Sequence, residues 1–478
     1  MNIHTTPGAL AGVPESDATA TAQIAHQLAV YAAETPDRAI PTEVRLRACH
    51  HMLDAAGIAL ASTRYDFAHK TLAGLRALGE GGSFPVLGMA ATLSPRDAAT
   101  LNGFLCHGLD YDDTHIAGII HPTASVFPAV MAAAGMTQAG GRAMVTAYVL
   151  GVEAAARIAQ VAKGGFHQVG FHPTGMVGIF GAALAAGRLL GLNAQQLKNA
   201  QGLALSMAAG NMQFLEDGAW NKRFHPGWAA ACGLTAASLA REGFVGSDQP
   251  YEGRFGLYNA FMGEHRDTAD VTLATRGLGE SYELLNTAIK PFPVCHFTHG
   301  AIDAGIALSD QIDGPDSVRS IEVLVPAETI KTICEPVANK KRPANDYDAK
   351  FSTHYLVATA LLRARLTLAE LEPAALTAPD VLALADKVTY RADPESAFPV
   401  AYSGEVIVTL SDGRTLSHRE HINRGAANRP LSNDDIVAKF RDNAAMLVNP
   451  ARAATMEAAM LTLDEAADAG AALRALSL

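Results

Sequence analysis

Titratable side chains crowd into one short stretch, LDYDDTHIAGIIHPTASVFP, which runs from residue 109 to residue 128. Its ionisable carboxylates and imidazoles belong to Asp110, Asp112, Asp113, His115 and His121. Burying so many such groups costs free energy unless each is paired. The stretch is therefore a divalent-metal site, a solvated loop, or an active-site loop in which a buried aspartate orients a histidine. Because the sequence lacks HExxH or similar ligand spacing, we favour the active-site loop.

A second histidine occurs in the same His-Pro-Thr tripeptide, since His172 in GFHPTGMVGIFG repeats the pattern of His121. A helix that begins at this proline would offer free N–H groups, which suit a carboxylate ligand. A plain helix-start role is the alternative. Gly175, Gly178 and Gly181 follow at helical spacing, which is not the GxGxxG of dinucleotide-binding proteins. We interpret these glycines as close helix–helix contacts.

Basic residues form two further candidate sites. Lys222, Arg223 and His225 precede a helix predicted to begin near Pro226. Because cations are disfavoured at a helix N-terminus, this group either flanks a surface helix or binds an anion, and both interpretations stay open. Lys290 lies among apolar residues at the proposed domain junction, where ligand pockets are common. A later basic run is interpreted as surface charge, part of which could face the cleft: Lys340, Lys341, Arg342 and Lys350.

The composition limits what kind of protein carries these residues. Of 478 residues, 49% are hydrophobic and 18% are charged, which allows a large core. The net charge of −11 argues against a nucleic-acid partner. Five cysteines without a CxxC pair argue against a disulfide framework and for a reducing compartment. Since the N-terminal sequence does not resemble a signal peptide and no apolar run reaches the ~18 residues of a membrane span, we predict a cytoplasmic protein that contacts no membrane.

Two kinds of periodicity predict the elements that position these residues. From about residue 21, apolar residues follow helical spacing, most clearly at Met144, Tyr148 and Val152. Around residues 321 and 406 they alternate as in strands, and Asp412-Gly413 predicts a hairpin turn. We therefore predict a mainly α fold. It comprises a loose N-terminus (1–20), a large all-helical domain (21–286 plus 421–478) and an inserted, smaller α+β lid domain (287–420).

Together these pieces resemble the MmgE/PrpD family. The matching stretches, in chain order, are HGLDYDDTHIAGIIHPTASVFPA, GFHPTGMVGIFGAA, NKRFHPGWAA, IKPFPVCHFTH and AKFSTHYLVA. The family includes 2-methylcitrate dehydratase, cis-aconitate decarboxylase and iminodisuccinate epimerase. The resemblance implies a large helical domain, a smaller lid, a homodimer, and catalysis with neither a metal nor an organic cofactor.

The resemblance also implies which residues act. The predicted catalytic residues are Asp110, His121, His172 and Lys222. The predicted substrate-binding residues are Thr114, His115, Arg223, His225 and Lys290. We expect the lysines to hold the carboxylates of a small di- or tricarboxylate, while His121 or His172 moves a proton.

The predicted function is that of a cofactor-free lyase that transfers a proton next to a carboxylate. A dehydratase or hydratase of the 2-methylcitrate type is the leading prediction. The alternatives are a decarboxylase of the cis-aconitate type, an epimerase of the iminodisuccinate type, and a carboxylate-binding protein without catalytic activity.

Overall fold

Helices dominate the structure, a computed structural model that describes residues 23–79, 81–398 and 400–478. It is 58% helical and 9% strand, which confirms the predicted mainly α fold class. The predicted loose segment 1–20 lies outside the described residues.

The N-terminal part of the chain is a helical bundle. Its helices are α1 (Ile24–Glu34), α2 (Thr42–Ser62), α3 (Asp66–Leu78), α4 (Pro95–Cys106), α5 (Pro122–Thr137), α6 (Gly141–Val161), α7 (Gly165–Val169), α8 (Pro173–Leu189), α9 (Ala194–Leu205), α10 (Phe214–Asp217), α11 (Asn221–Arg241) and α12 (Leu257–Phe261). Two short antiparallel pairs accompany them: β1 (Phe84–Pro85) with β2 (Thr92–Leu93), and β3 (Thr114–His115) with β4 (Thr287–Ala288). Helix α11 packs against α4, α5 and α8, so it crosses the middle of the bundle.

Glycines on α8 let neighbouring helices approach closely. A Cβ atom at Gly178 would lie 2.4 Å from Oγ of Ser125 on α5, and one at Gly181 would lie 2.4 Å from the carbonyl oxygen of Gly151 on α6. A larger side chain would therefore push these helices apart in an interior that is close-packed. This confirms the prediction that the glycines make helix–helix contacts.

Helix α6 combines length with a strongly apolar composition. By length and composition it could cross a membrane, but 94% of its apolar window is buried inside the protein. Nε of Arg157 donates to Oε2 of Glu153 one turn away at 3.2 Å, and both side chains are buried. The two charges are thus paired, as the interior requires.

A second core forms around a mixed sheet. The sheet has the order β6-β5-β7-β8 and consists of β5 (Val318–Val325), β6 (Val388–Ala392), β7 (Gly404–Leu410) and β8 (Thr415–Glu420). Its helices are α13 (His299–Leu308), α14 (Ile330–Ile333), α15 (Val337–Lys341), α16 (Asp346–Ala349), α17 (Thr353–Arg363), α18 (Pro373–Leu376) and α19 (Pro379–Ala385). Strands β7 and β8 pair around Gly413, whose φ is +91°, so the predicted hairpin is present. Strand β4, in contrast, pairs with β3 of the bundle.

The C-terminal tail returns to the helical bundle. It forms α20 (Asn433–Ala445), α21 (Pro450–Leu461) and α22 (Ala469–Arg474). Helices α20 and α21 both pack against α2, and Phe440 and Met456 are fully buried in the same apolar cluster as Met52. The last helices therefore complete the core that the first helices begin.

Candidate active site

The loop between α4 and α5, residues 107–121, carries the titratable cluster that the sequence indicates. The β3–β4 pair holds the middle of this loop, and the loop is almost entirely buried. Asp110 has a φ of +54°, a left-handed conformation that a short polar residue such as aspartate tolerates better than most. The loop therefore turns sharply at the residue whose carboxylate meets the predicted lysines.

Four successive carbonyl groups of this loop each accept a hydrogen bond from a cationic side chain, and we call this arrangement the carbonyl clamp. The donors come from four separate parts of the chain, because Arg223 is on α11, Lys290 follows β4, Lys350 follows α16 and Lys439 is on α20. The bonds are Arg223 Nε to Gly108 (2.6 Å), Lys350 Nζ to Leu109 (2.7 Å), Lys290 Nζ to Asp110 (2.8 Å) and Lys439 Nζ to Tyr111 (2.8 Å). Charge-assisted hydrogen bonds of this kind are about twice as strong as neutral ones. They fix the backbone on which Asp110 sits.

Two ammonium groups converge on the Asp110 carboxylate. Nζ of Lys222 lies 2.8 Å from Oδ2, and Nζ of Lys290 lies 3.0 Å from Oδ1. Burial opposes ionisation, but the two lysines outweigh it and hold the pKa of Asp110 well below its usual value. The group is therefore a carboxylate between two cations, and it marks a place where a substrate carboxylate could bind.

Three imidazoles, of His107, His121 and His172, lie beside this ion-pair group and form the imidazole cluster. The ring centroids are 4.7 Å apart for His107 and His121, 5.7 Å for His107 and His172, and 6.1 Å for His121 and His172. A carboxylate oxygen of Asp110 and ring nitrogens of His107 and His121 lie within 4.8 Å of one another. The cluster and the lysine-bound carboxylate therefore form one centre.

Each ring of the cluster uses its Nδ1 atom in a hydrogen bond. Nδ1 of His107 donates to both carboxylate oxygens of Asp112 at 2.9 and 2.8 Å, and Nδ1 of His121 donates to the carbonyl of Asp113 at 2.7 Å. Nδ1 of His172 shares a hydrogen bond of 3.0 Å with Nδ1 of His225. Because a carbonyl oxygen only accepts, the proton of a neutral His121 is on Nδ1 and its Nε2 carries a lone pair.

Burial keeps the imidazoles of His121, His172 and His225 uncharged. Desolvation is the main reason that the pKa of His121 falls to about 3, with His107 and the two lysines adding to the effect and Asp112 opposing it. Burial likewise lowers the pKa of His172 well below its usual value and that of His225 to about 4. At neutral pH these rings are therefore proton acceptors in the absence of substrate.

A second polar network lies beneath the loop. Asp113 accepts hydrogen bonds from Nδ1 of His51 at 2.8 Å and from the hydroxyl and backbone N–H of Thr123, and that hydroxyl also bonds to Tyr148. Burial raises the pKa of Asp113 to about 7. This network ties the loop to α2, α5 and α6.

The structure brings most of the predicted site residues together. Asp110, His121, His172, Lys222 and Lys290 belong to the centre, and Arg223 and His225 contact it through Gly108 and His172. Oγ1 of Thr114 lies 3.3 Å from Nδ1 of His121. His115 points elsewhere, because its Nε2 pairs with Glu283 at 3.0 Å and its Nδ1 accepts from the backbone N–H of Gly118 at 3.2 Å. Both of its ring nitrogens are therefore occupied by protein.

Two sequence interpretations need correction. Helix α11 begins at Asn221 rather than near Pro226, so Lys222 and Arg223 lie in its first turn and the proline lies inside the helix. The missing N–H of Pro226 removes one helical hydrogen bond, yet close packing of Gly227 on Gly103 of α4 favours continuing the helix. Lys350 is not a surface charge either, since only 3% of it is exposed, and burial lowers its pKa to about 8.

Sequence reasoning did not select several buried groups of the centre. His107 directly follows the last residue of α4. Its position three residues before Asp110 is the sequence feature that could have indicated its place in the site. Asn423 donates to Nε2 of His296 at 2.8 Å, and Lys439 pairs with Asp54 at 2.8 Å. No spacing rule links Asn423 or Lys439 to the loop, because each is more than 300 residues away along the chain.

A cavity of ≈ 440 Å³ lies where the bundle meets the second core. It is lined by residues of both parts, among them Trp220 and Arg223 from the bundle and Asp346 and Tyr347 from the other side. Arg223 also belongs to the carbonyl clamp, so the cavity adjoins the centre.

Comparison with known proteins identifies the class of protein that has this fold and site. The MmgE/PrpD N-terminal domain matches residues 26–269, and the MmgE/PrpD C-terminal domain matches residues 292–465. The chain therefore belongs to the MmgE/PrpD family and is an enzyme of the lyase class.

The relatives of this chain include two kinds of named enzyme, cis-aconitate decarboxylase and 2-methylcitrate dehydratase. The chain is 27% identical to a cis-aconitate decarboxylase-like protein of Aspergillus oryzae, over 97% of this chain and 99% of the relative. It is 29% identical to human cis-aconitate decarboxylase, over 75% of this chain and 74% of the relative. A 2-methylcitrate dehydratase of Cupriavidus necator is 26% identical over 79% of this chain and 80% of the relative.

Proposed function

We propose that the chain releases CO2 from a small unsaturated di- or tricarboxylate of the cis-aconitate type. The observation that carries the proposal is the pair of ammonium groups, from Lys222 and Lys290, that converges beside the imidazole cluster. Relatives named cis-aconitate decarboxylase support decarboxylation ahead of dehydration. This reverses the order in which the sequence alone ranked the two reactions.

The proposed reaction uses these groups in sequence. A substrate carboxylate displaces Asp110 from one lysine and becomes its ion-pair partner. The C–C bond to a second carboxylate breaks, CO2 leaves, and the bonding electron pair moves into the remaining unsaturated acid. The lysines stabilise the negative charge that develops there. A proton then adds to carbon.

His121 is the proposed proton carrier. Burial lowers the pKa of His121 to about 3, so its imidazole is neutral. A bound polycarboxylate brings negative charge close to the ring and raises the pKa of the imidazole, because an opposite charge within about 4–6 Å favours the charged form. Substrate binding thus favours the protonated form of His121, which can then donate the proton to the substrate.

Dehydration of a hydroxy acid is the second candidate. The specific observation that favours it is the lone pair on Nε2 of His121, which is ready to remove a proton without prior protonation. The relatives named 2-methylcitrate dehydratase agree with this reaction.

One experiment separates the candidates. Purified protein is incubated in D2O with cis-aconitate and, separately, with 2-methylcitrate, and the products are followed by proton NMR with CO2 release measured in parallel. We expect CO2 and one deuterium in the product from cis-aconitate. An enoate from 2-methylcitrate without CO2 would establish the dehydratase, and deuterium exchange without a change in composition would establish an epimerase. Binding without any of these signals would refute catalysis.

A further inference from the structure

The imidazole cluster has a feature that proton transfer alone does not require. All three rings use Nδ1 for a hydrogen bond within the protein, to a carboxylate, to a backbone carbonyl and to a neighbouring imidazole. One nitrogen of each ring is thus already bonded within the protein. The remaining nitrogen of each ring is Nε2.

Two of these Nε2 atoms are buried without a partner. Within the residues that the structure describes, Nε2 of His107 and Nε2 of His172 lack a hydrogen bond, and the two residues are 0% and 5% exposed. An unsatisfied buried polar atom is costly, so native proteins rarely keep one without a use. The unused nitrogens point to a ligand that the cluster can accept.

The hydrogen-bond partners decide what kind of ligand this is. A carboxylate and a carbonyl oxygen accept hydrogen bonds, so Nδ1 is the donor in both His107 and His121, and Nε2 is the nitrogen left to bind a ligand. Lone pairs bind an electron-pair acceptor. Metal-binding histidines have the same arrangement, in which one nitrogen binds the ion and the other donates to a carboxylate or carbonyl.

The spacing suits a divalent transition ion. One ring nitrogen from each of His107, His121 and His172 lies within 4.8 Å of the other two. Zinc–nitrogen bonds of about 2.0–2.1 Å in tetrahedral geometry bring ligand nitrogens to about 3.3 Å, so the rings need to close in by about 1.5 Å at most. The Asp110 carboxylate, which shares such a group with His107, His121 and Asp112, can supply a fourth ligand and negative charge.

We propose that His107, His121 and His172 form a three-imidazole site for a divalent transition ion such as Zn²⁺, and that its occupation inhibits the lyase. The inhibitory part rests on the proposed function, because the ion takes the nitrogen of His121 that would carry the proton. The ion also competes with Lys222 and Lys290 for the Asp110 carboxylate, and it changes the charge at the place where the substrate would bind. The ion is thus a regulator of this site and no part of the reaction.

The test uses Co²⁺ as a probe for the ion. Purified protein is treated with a chelator, dialysed and titrated with Co²⁺, whose visible absorption is intense only in tetrahedral sites. Four proteins are compared: the wild type, His107→Gln, His172→Gln and the control His69→Ala, which removes an exposed histidine. Glutamine at 107 keeps an N–H that can donate to Asp112, and circular dichroism and thermal unfolding establish that each variant is folded.

We expect tetrahedral absorption in the wild type and in His69→Ala, and binding weakened in both glutamine variants by at least the ~10–100-fold that loss of even an outer-shell partner costs. We also expect turnover of chelator-treated enzyme to fall as Zn²⁺ is added. Wild-type binding in His107→Gln and His172→Gln, or an absorption spectrum without the tetrahedral bands, would overturn the site. Turnover that is lost with chelator and restored by Zn²⁺ would overturn the inhibitory role. Binding is read without substrate, so a protein that binds Co²⁺ but turns over no carboxylate would refute the proposed function and leave the site standing.

Discussion

At the scale of single residues, His115 and His121 provide a matched pair within one loop. Both are buried histidines, but His115 is bonded to Glu283 and Gly118, whereas a ring nitrogen of His121 lies within 4.8 Å of ring nitrogens of His107 and His172. We expect His121→Ala to lower kcat by about 10²–10⁴-fold, the usual contribution of a general acid or base. His115→Ala should keep kcat within about tenfold. Near-wild-type turnover in His121→Ala, measured by CO2 release, would remove this residue from the mechanism.

A second prediction concerns Lys222 and Lys290, the two lysines that pair with Asp110. Lys222→Met leaves Asp110 with one cation, so the pKa of Asp110 should rise towards its usual value and kcat/KM should fall about 10²-fold. Since a depressed carboxyl pKa keeps the group charged above that pKa, the acid limb of the kcat/KM profile should move to higher pH. Lys198→Met, which removes a lysine paired with exposed Asp248, is the control. An unchanged profile in Lys222→Met would show that this lysine does not govern the charge of Asp110.

The residues of the site were predictable where type and local spacing carry the information. His121 and His172 stand out by their repeated tripeptide, and Asp110 stands out by its acidic neighbours. His107 was not predicted, because a histidine at the end of a helix is usually structural. His107 contacts Asp112, five residues on, and the rings of His121 and His172, which directly precede α5 and α8 and come near His107 only in the folded chain.

At the scale of elements, the carbonyl clamp predicts that a lysine bound to the backbone of the loop affects the reaction. In Lys350→Met the carbonyl of Leu109 loses its donor, and the turn at Asp110 loses one of its four restraints. We expect kcat/KM to fall about tenfold or more, because a carboxylate displaced by even 1 Å loses much of its contribution.

Lys340→Met is the matched control for Lys350→Met. Lys340 is also a buried lysine of the second core, but its Nζ donates to the carbonyl of Thr332 and not to the loop. Both variants should lose stability through an unsatisfied carbonyl. If both lower kcat/KM equally, the effect comes from general destabilisation and the clamp has no specific role.

The network beneath the loop predicts a dependence of stability on pH. Burial raises the pKa of Asp113 to about 7, so between about pH 4 and pH 7 the folded state holds a proton that the unfolded state has released. This contribution to the free energy of unfolding is full below about pH 4 and is lost as the pH rises to 7. Asp113→Asn should therefore show a flatter curve of unfolding free energy against pH than the wild type, measured by denaturant titration. Parallel curves would contradict the raised pKa.

Elements with a clear period were predicted well, and those whose ends depend on packing were not. The strands around Val323 and Val406 and the hairpin at Gly413 follow from alternation and turn chemistry. The start of α11 could not be predicted in this way, because a proline such as Pro226 is typical of the first residue of a helix. The contact of Gly227 with Gly103 on α4 involves residues over 100 positions apart, and local sequence does not contain it.

At the scale of the whole molecule, the predicted homodimer stays a prediction. Helix α11 offers an outward apolar stripe, since Phe224, Trp228 and Leu239 are 38%, 41% and 42% exposed and recur at helical spacing. We expect the wild type to elute as a dimer in size-exclusion chromatography with light scattering, and Trp228→Glu to shift it towards the monomer. A wild-type monomer at micromolar concentration would refute the prediction.

The carbonyl clamp also has a consequence for the order in which the protein becomes complete during synthesis. Lys439 lies far towards the C-terminus, and yet it holds the carbonyl of Tyr111 and pairs with Asp54 of α2. A ribosome-bound chain that already contains the loop, the imidazole cluster and both lysines that bind Asp110 still lacks the last cation of the clamp. The nascent enzyme should therefore stay silent until its final helices leave the exit tunnel, and a messenger cut short before codon 439 should yield an inactive product.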